Sequence, residues 1–424
     1  MKNKQAITLL FAANIISGLA QGISMIAIPW YFVKIVAKPE VFATAYLIIT
    51  FLILFWGLYA GTLIDRYSRK KLFILINIIC GLFIGGIGLY GWHTGYLSDI
   101  FVVLVFAITI FNYNVHYPNL YAFGQEITKK ENYGKLNSYI EIQGQVTSVL
   151  AGAFAAILLT GTVDGDLQIA GINFTLPFTI EAWAIYEVFL LDAFTYFLVI
   201  LFFIFMKYDS VAKEKIDVGS LISRFKQGFN YLYKKPIIFV FGVASYMLFA
   251  FTLVQIHVVL PSYVNNFLNM GADVYASSEI YYSIGAIFSG VLILRIFKNL
   301  STVSSVIILM FTVSLAFFLM AIYKILWVFF IGSLILGVTN AGVRILRTTY
   351  IFNHVPNNLI GRTNSVFNSL NIMIRMILIG MFALQFFHSD DNIRYAYFIG
   401  SALILLAMIV LLLWYKRILS SERG

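Results

Sequence analysis

Twelve apolar runs, each about 18 residues or longer and joined by short charged connections, leave this 424-residue chain few ways to fold. They lie near 6–33, 41–63, 72–92, 99–124, 135–160, 184–206, 237–260, 278–297, 301–322, 325–350, 361–387 and 393–415. Each is long enough to cross a hydrocarbon core of about 30 Å as a helix. In lipid a backbone must satisfy its own hydrogen bonds, and a helix does so within one segment. The composition agrees: 61% of residues are hydrophobic and 11% charged, more apolar surface than a soluble interior can hide. The first run follows Lys2 and Lys4 but far exceeds the ~7–15 residues of a signal-peptide core, so it is expected to stay as a membrane helix.

The net charge of +10 suggests nucleic acid until its distribution is read. With the N-terminus placed inside, 22 of the 29 Lys and Arg fall on cytoplasmic segments, against Lys34, Lys38, Lys324 and Arg394 on the opposite side. That asymmetry is the positive-inside pattern for an even number of spans with both termini cytoplasmic in the inner cell membrane. The basicity therefore marks topology and attraction to anionic lipid, and no nucleic-acid partner is expected. The single cysteine, Cys80, falls in the third run and reads as core filler, which excludes a disulfide framework. No G-x-x-x-x-G-K-[ST] loop appears, so ATP is not the expected direct energy source. The five histidines show no i, i+3 or i+4 pairing, which argues against a polytopic membrane enzyme.

Taken in order, span 1 carries Gln21 beside Gly22 near mid-membrane. There a polar side chain either bonds across helices or lines a substrate path. The connection 61–71, GTLIDRYSRKK, packs five charges into its last seven residues and leaves no room for a domain. In span 3, Gly81, Gly85 and Gly88 have the spacing that lets helices approach closely. Span 4 is more polar, with Asn112, Asn114 and His116 before Pro118. His116 is a functional candidate by default or, near the cytoplasmic end, simply wet. Glu141 lies on span 5, residues 161–183 read as an ordinary solvated loop, and Asp192 falls about 12 Å inside span 6. Residues 207–236 are basic, and LISRFKQGFNYLYKK reads as an amphipathic helix on the inner surface. The division expected is a six-helix bundle over 1–206, a linker over 207–236 and a second bundle over 237–424.

The halves repeat faintly. Gly61-Thr-Leu-Ile-Asp-Arg66 has a counterpart in Gly290-Val-Leu-Ile-Leu-Arg295, offset by 229, and Gly134-Lys-Leu-Asn-Ser138 in Gly361-Arg-Thr-Asn-Ser365, offset by 227. Two matches at nearly one offset, both at equivalent span ends, point to a duplicated six-helix unit, which is a transporter architecture.

GTLIDRYSRKK resembles the signature between the second and third helices of the major facilitator superfamily, with Ser68 in place of the usual glycine. Together with twelve spans, the basic linker and the degenerate second copy, the resemblance covers essentially the whole chain. The GKLNS and GRTNS stretches most resemble the macrolide-efflux and enterobactin-exporter-like branch. The resemblance implies an all-α polytopic membrane protein of two pseudo-symmetric six-helix bundles. It also implies secondary transport of a small amphipathic molecule by alternating access, as an efflux antiporter, with a proton as the coupling partner where coupled. Import or lysophospholipid flipping on the same fold is the alternative. No cofactor or metal is expected, and the chain is expected to act as a monomer in lipid. Gly61, Asp65, Arg66, Arg69 and Lys70 correspond to the family's conformational-switch loop, with Asp65 as its acidic latch; the second copy has Leu294 there. The chain departs from proton-coupled relatives: it lacks the span-4 arginine, has Gly152 about where a span-5 proline would stand, and has Gln21 in place of an acid. Proton coupling is therefore not implied residue by residue.

Charges inside a membrane cost about 2.5–3.5 kcal/mol each on insertion scales, so each needs a reason. Arg344 and Arg347, three apart, are expected to share a face of span 10. Either could pair with Glu141 as a gate, or all three could lie solvated near the interface. Arg375, thirteen residues beyond Arg362, lies about 20 Å deep. Its counter-charge is either Asp192 or an anionic group on the substrate. Gln21, Asn112, His116 and Arg375 are thus the candidate cavity residues, and Glu141, Arg344, Arg347 and Asp192 the candidate gate or coupling residues.

Overall fold

A computed structural model describes residues 3–162, 164–208 and 221–423. Among them are twelve helices long and apolar enough to cross a membrane, spans 1 to 12: Lys4–Ile35, Pro39–Gly57, Arg69–Thr94, Asp99–Ile127, Lys135–Thr160, Ile185–Phe205, Pro236–Leu268, Ala272–Ile296, Thr302–Ile322, Leu326–His354, Leu359–Phe382 and Asp390–Leu413. The chain is an all-α multi-pass membrane protein.

The largest departure from the apolar runs is span 7, which does not stop before Pro261 but continues to Leu268. A proline removes a backbone donor and crowds the preceding turn. Here the helix absorbs it with wide π turns over Gln255–Val259 and Tyr263–Leu268. Span 1 does the same: Pro29 lies inside the helix, and a π turn follows over Tyr31–Ile35. Each half therefore opens with a helix in which a π turn begins two residues after a proline. Pro261 stands 232 residues after Pro29, close to the offset of the sequence repeat.

The stretch 161–183 is more ordered than a solvated loop. Strands β1 (Asp166–Ile169) and β2 (Ile172–Thr175) pair antiparallel, with Leu167 opposite Phe174. Ala170 and Gly171, at φ 53° and 77°, supply the two positive φ values a tight hairpin turn needs. Thr175 Oγ1 donates to Asp166 Oδ1 at 2.7 Å across the open end.

The chain forms two compact units. The first contains spans 1 and 3 to 6, span 2 from Phe51 onward, and the opening turns of span 8, Gly271–Ile280. The second contains spans 7 and 9 to 12, span 8 from Tyr281 onward, and the opening turns of span 2, Pro39–Thr50. Within the first unit Phe73 stacks on Phe203 at 4.7 Å in a core that includes Leu10, Leu120, Phe123 and Ile140. Spans 3 and 6 meet along the expected glycine stripe. A Cβ at Gly81 would lie 3.2 Å from Tyr196 Cβ, and one at Gly88 2.9 Å from Leu190.

In the second unit spans 8 and 10 cross through reciprocal glycines: a Cβ at Gly337 would strike the Tyr282 carbonyl, and one at Gly285 the Leu334 carbonyl. Neither backbone can retreat as a side chain does. Gly337→Ala is expected to destabilise the protein by about 1–3 kcal/mol, read as a lower thermal midpoint in detergent; an unchanged midpoint would mean that the crossing can open.

The linker sequence forms a helix over Leu221–Lys234, but it does not simply lie on lipid. Gly228 abuts the Arg362 carbonyl, Arg362 donates to Gln227, and Tyr231 Oη donates to the His354 carbonyl at 3.2 Å. Phe225, Phe229 and Tyr233, at helical spacing, remain exposed. The helix is thus docked on the start of span 11 through one face and presents aromatic rings on another.

Candidate functional site

The signature connection is held at its base by contacts within the first unit. The helix of span 2 ends at Arg66, Tyr67 and Ser68 break it, and Ser68 caps span 3 by accepting from the Lys71 amide. Lys70 Nζ reaches the end of span 6 and donates to the Met206 carbonyl at 2.9 Å and the Ile204 carbonyl at 3.3 Å. An ammonium there satisfies carbonyls that the helix leaves unpaired. Arg69 Nε lies 4.0 Å from Glu126 Oε2 at the end of span 4, and Asn119 Nδ2 donates to the Arg69 carbonyl at 3.1 Å. The side chains of Gly61, Asp65 and Arg66 lie outside those described.

Deeper in the first unit, polar side chains form two groups. His116 is buried rather than wet: its Nε2 is 2.8 Å from Asn14 Oδ1, Asn14 Nδ2 donates to Gln143 Oε1 at 2.9 Å, and the ring packs edge-on against Phe73. The chain of bonds ties spans 1, 4 and 5. The second group contains Asp192, fully buried, with Oδ2 accepting from Ser24 Oγ at 3.2 Å. Asn112 Nδ2 donates to Tyr196 Oη at 3.2 Å. Gln21 donates to Ser17 one turn earlier on its own span. Glu141 is exposed and accepts from Tyr121 Oη at 2.6 Å. Where span 1 ends in its π turn, a cavity of about 310 Å³ opens, with Trp30, Tyr31, Tyr96, Trp183 and Tyr186 on its walls.

In the second unit Arg375 is buried on span 11, beside Tyr46 and His257. Its guanidinium is within hydrogen-bonding reach of the Tyr46 hydroxyl, and the Tyr46 and His257 rings meet edge to face at 5.5 Å. Arg375 Nε has no hydrogen-bond partner, and among the described residues no carboxylate forms an ion pair with Arg375. Asp192 belongs to the other unit and has its own partner in Ser24. Arg344 and Arg347, three apart on the helix of span 10, differ in environment. Arg344 is exposed, whereas Arg347 is buried, with its guanidinium 3.5 Å over the Tyr246 ring and Nη1 donating to the Ser245 carbonyl at 3.1 Å. The aromatic face and the carbonyl together turn one of the two arginines inward.

Between spans 11 and 12, His388 Nδ1 lies 3.4 Å from Ser262 Oγ, and Asn266 donates to its carbonyl. Burial pushes the His388 imidazole below its ordinary range, with Glu40 opposing. An unfolded chain then takes up this proton before the folded one does. Folded stability should therefore fall as pH drops below the ordinary histidine value of about 6.5. His388→Gln should remove part of that loss in thermal melts across pH; an unchanged acid limb would refute the assignment.

A sequence profile described as Major Facilitator Superfamily matches residues 10–378. The chain belongs to that superfamily. Solved structures agree on the fold of this facilitator. A nucleoside transporter, NupG, aligns with a TM-score of 0.69 at 14% identity, covering 97% of this chain and 99% of that one. A bacterial homologue of the iron transporter ferroportin in its inward-facing state gives 0.66 at 16%, covering 96% and 98%. A D-xylose-proton symporter gives 0.67 at 12%, covering 97% of each. No curated protein is matched by sequence. The facilitator is thus a membrane transporter rather than an enzyme.

Three partners of these side chains, Glu126, Tyr46 and Ser24, are not evident from the facilitator's sequence alone. Glu126 was findable as the one acid closing span 4, opposite a conspicuously basic loop. Tyr46 and Ser24 carried no signal, since hydroxyls in apolar helices are common and only packing shows which carboxylate or guanidinium they meet.

Proposed function

We propose that this facilitator moves a small amphipathic molecule carrying an anionic group out across the membrane by alternating access, with Arg375 as the anchor for the anion. The observation that carries the reading is Arg375 itself: a buried guanidinium whose described neighbours are the Tyr46 hydroxyl and the His257 ring, with Nε unpaired. A buried cation is strongly disfavoured unless something negative meets it. A planar fork of donors suits a carboxylate, sulfonate or phosphate oxygen pair. The rings of Tyr46, His257 and Phe42, which stacks on Tyr46 at 6.2 Å, offer an apolar wall for the rest of the molecule. Outward transport is favoured by the likeness of the GKLNS and GRTNS stretches to exporter-type members.

The test is flux in inverted vesicles of a sulfonated naphthalene dye, an uncharged analogue of equal size, a quaternary-ammonium analogue and a labelled lysophospholipid. Accumulation of the sulfonate in preference to the other three supports the reading. Preference for the cationic or uncharged dye would overturn the anion anchor, and movement of the lysophospholipid alone would assign lipid flipping instead.

A further inference from the structure

Asp192 is not explained by the substrate site, and its surroundings are unusual for a carboxylate. It lies on span 6 at 0% exposure. From span 1 it receives one hydrogen bond, Ser24 Oγ to Oδ2; Oδ1 is buried with no partner at all. The titratable groups around it are neutral or acidic by nature. They are Cys80 on span 3, Tyr113 on span 4 and Tyr196 one turn along its own span, with Glu279 of span 8 reaching the same cluster through Tyr113. Among the described residues, no Lys, Arg or His joins them. The Asn112 Oδ1 atom is also buried and unpaired, while its amide holds Tyr196. Lipid is shut out where Gly81 and Gly85 let span 3 lie flush on Tyr196 and Ala193.

An ionised carboxylate in such a place has one neutral hydroxyl to offset the loss of water, and desolvation of a lone charge outweighs that. Neutralising it requires a monovalent cation, and the smallest one needs no coordination shell. We infer that Asp192 is a proton-binding site of the first unit, with the proton on Oδ1 and Oδ2 left as the carbonyl oxygen that accepts from Ser24. Release is simple in its balance: when water reaches Oδ1, the O–H bond breaks, the proton passes to water, and the carboxylate keeps the electron pair. A group that is neutral when sealed and charged when wet is suited to carry a proton through a cycle of opening and closing. This inference is independent of the anion anchor, since it concerns a different unit and needs no transported substrate.

Infrared spectroscopy of the purified full-length protein in lipid nanodiscs tests it directly. At neutral pH the wild type should show the C=O stretch of a protonated carboxylic acid, sensitive to deuterium exchange and missing in Asp192→Asn. Ser24→Ala should keep the band but move it to higher frequency, because the hydrogen bond on the carbonyl oxygen is gone. Should Asp192→Asn fail to fold, the Ser24→Ala displacement alone still assigns the band. Replacing choline chloride by sodium chloride should leave the band unchanged. A wild-type spectrum identical to that of Asp192→Asn would overturn the inference, as would a band abolished by sodium, which would make this a sodium site.

Discussion

Arg375→Leu is expected to weaken binding of a sulfonated amphiphile by about ten- to a hundredfold, the loss of one charge-assisted contact of roughly 1.5–3 kcal/mol. An uncharged analogue should bind the variant as well as it binds the wild type. Leucine fills much of the same volume, so the apolar wall persists, but the Tyr46 hydroxyl loses its neighbour at a position 2% exposed. Losing that contact costs about 1 kcal/mol of stability, and binding must therefore be normalised to the folded fraction. Arg375→Lys separates the two properties of the guanidinium: a point charge remains, the planar fork does not, and an intermediate affinity is expected. Dye fluorescence on purified protein makes the measurement. Equal affinity of wild type and Arg375→Leu for the sulfonate would leave Arg375 with a purely structural role.

Asp65→Asn is expected to slow net flux by about tenfold or more, equivalent to roughly 1.4 kcal/mol in the balance between states, while dye binding and the thermal midpoint stay near wild type. The stretch Gly61–Lys71 contains one acid and four bases. The bases whose contacts are described serve the first unit itself: Lys70 closes the end of span 6 and Arg69 meets Glu126. Those contacts do not include residue 65, so Asp65→Asn is expected to leave them in place. The second copy of the motif has Leu294 at the matching place, so no acid there can compensate. Flux equal to wild type in Asp65→Asn would refute a switching role.

Fold class was legible because lipid leaves a spanning backbone only helices or closed barrels, and twelve long, continuous apolar runs select helices and state their number outright. What escaped was whatever depends on how one helix meets the next. Pro261 reads as an end, since a proline denies the helix a donor; nothing local reveals that the chain will widen into π turns and continue to Leu268. Asp192 and Arg375 were recognisable as costly, but a sequence ranks buried charges by depth and is silent on partners. Comparable depth suggested that they neutralise each other, whereas Asp192 meets Ser24 and Arg375 meets Tyr46. The i, i+3 spacing of Arg344 and Arg347 was likewise a sound guide to helix geometry and a poor one to environment, because an aromatic ring and a carbonyl on span 7 draw only Arg347 inward.

The paired π turns after Pro29 and Pro261 bear on how such a chain can be re-engineered. A wide turn is what a helix makes of one surplus residue, and everything beyond it is turned by about 100° around the axis. Span 1 has one such turn after its proline and span 7 has two, one on each side of Pro261, so the two opening helices share the device without sharing its extent. The surplus makes each wide turn a dial. Deleting one residue from Tyr31–Ile35 should re-aim the end of span 1 and redraw the aromatic cavity beside it, while the matching deletion in Tyr263–Leu268 should leave that cavity untouched.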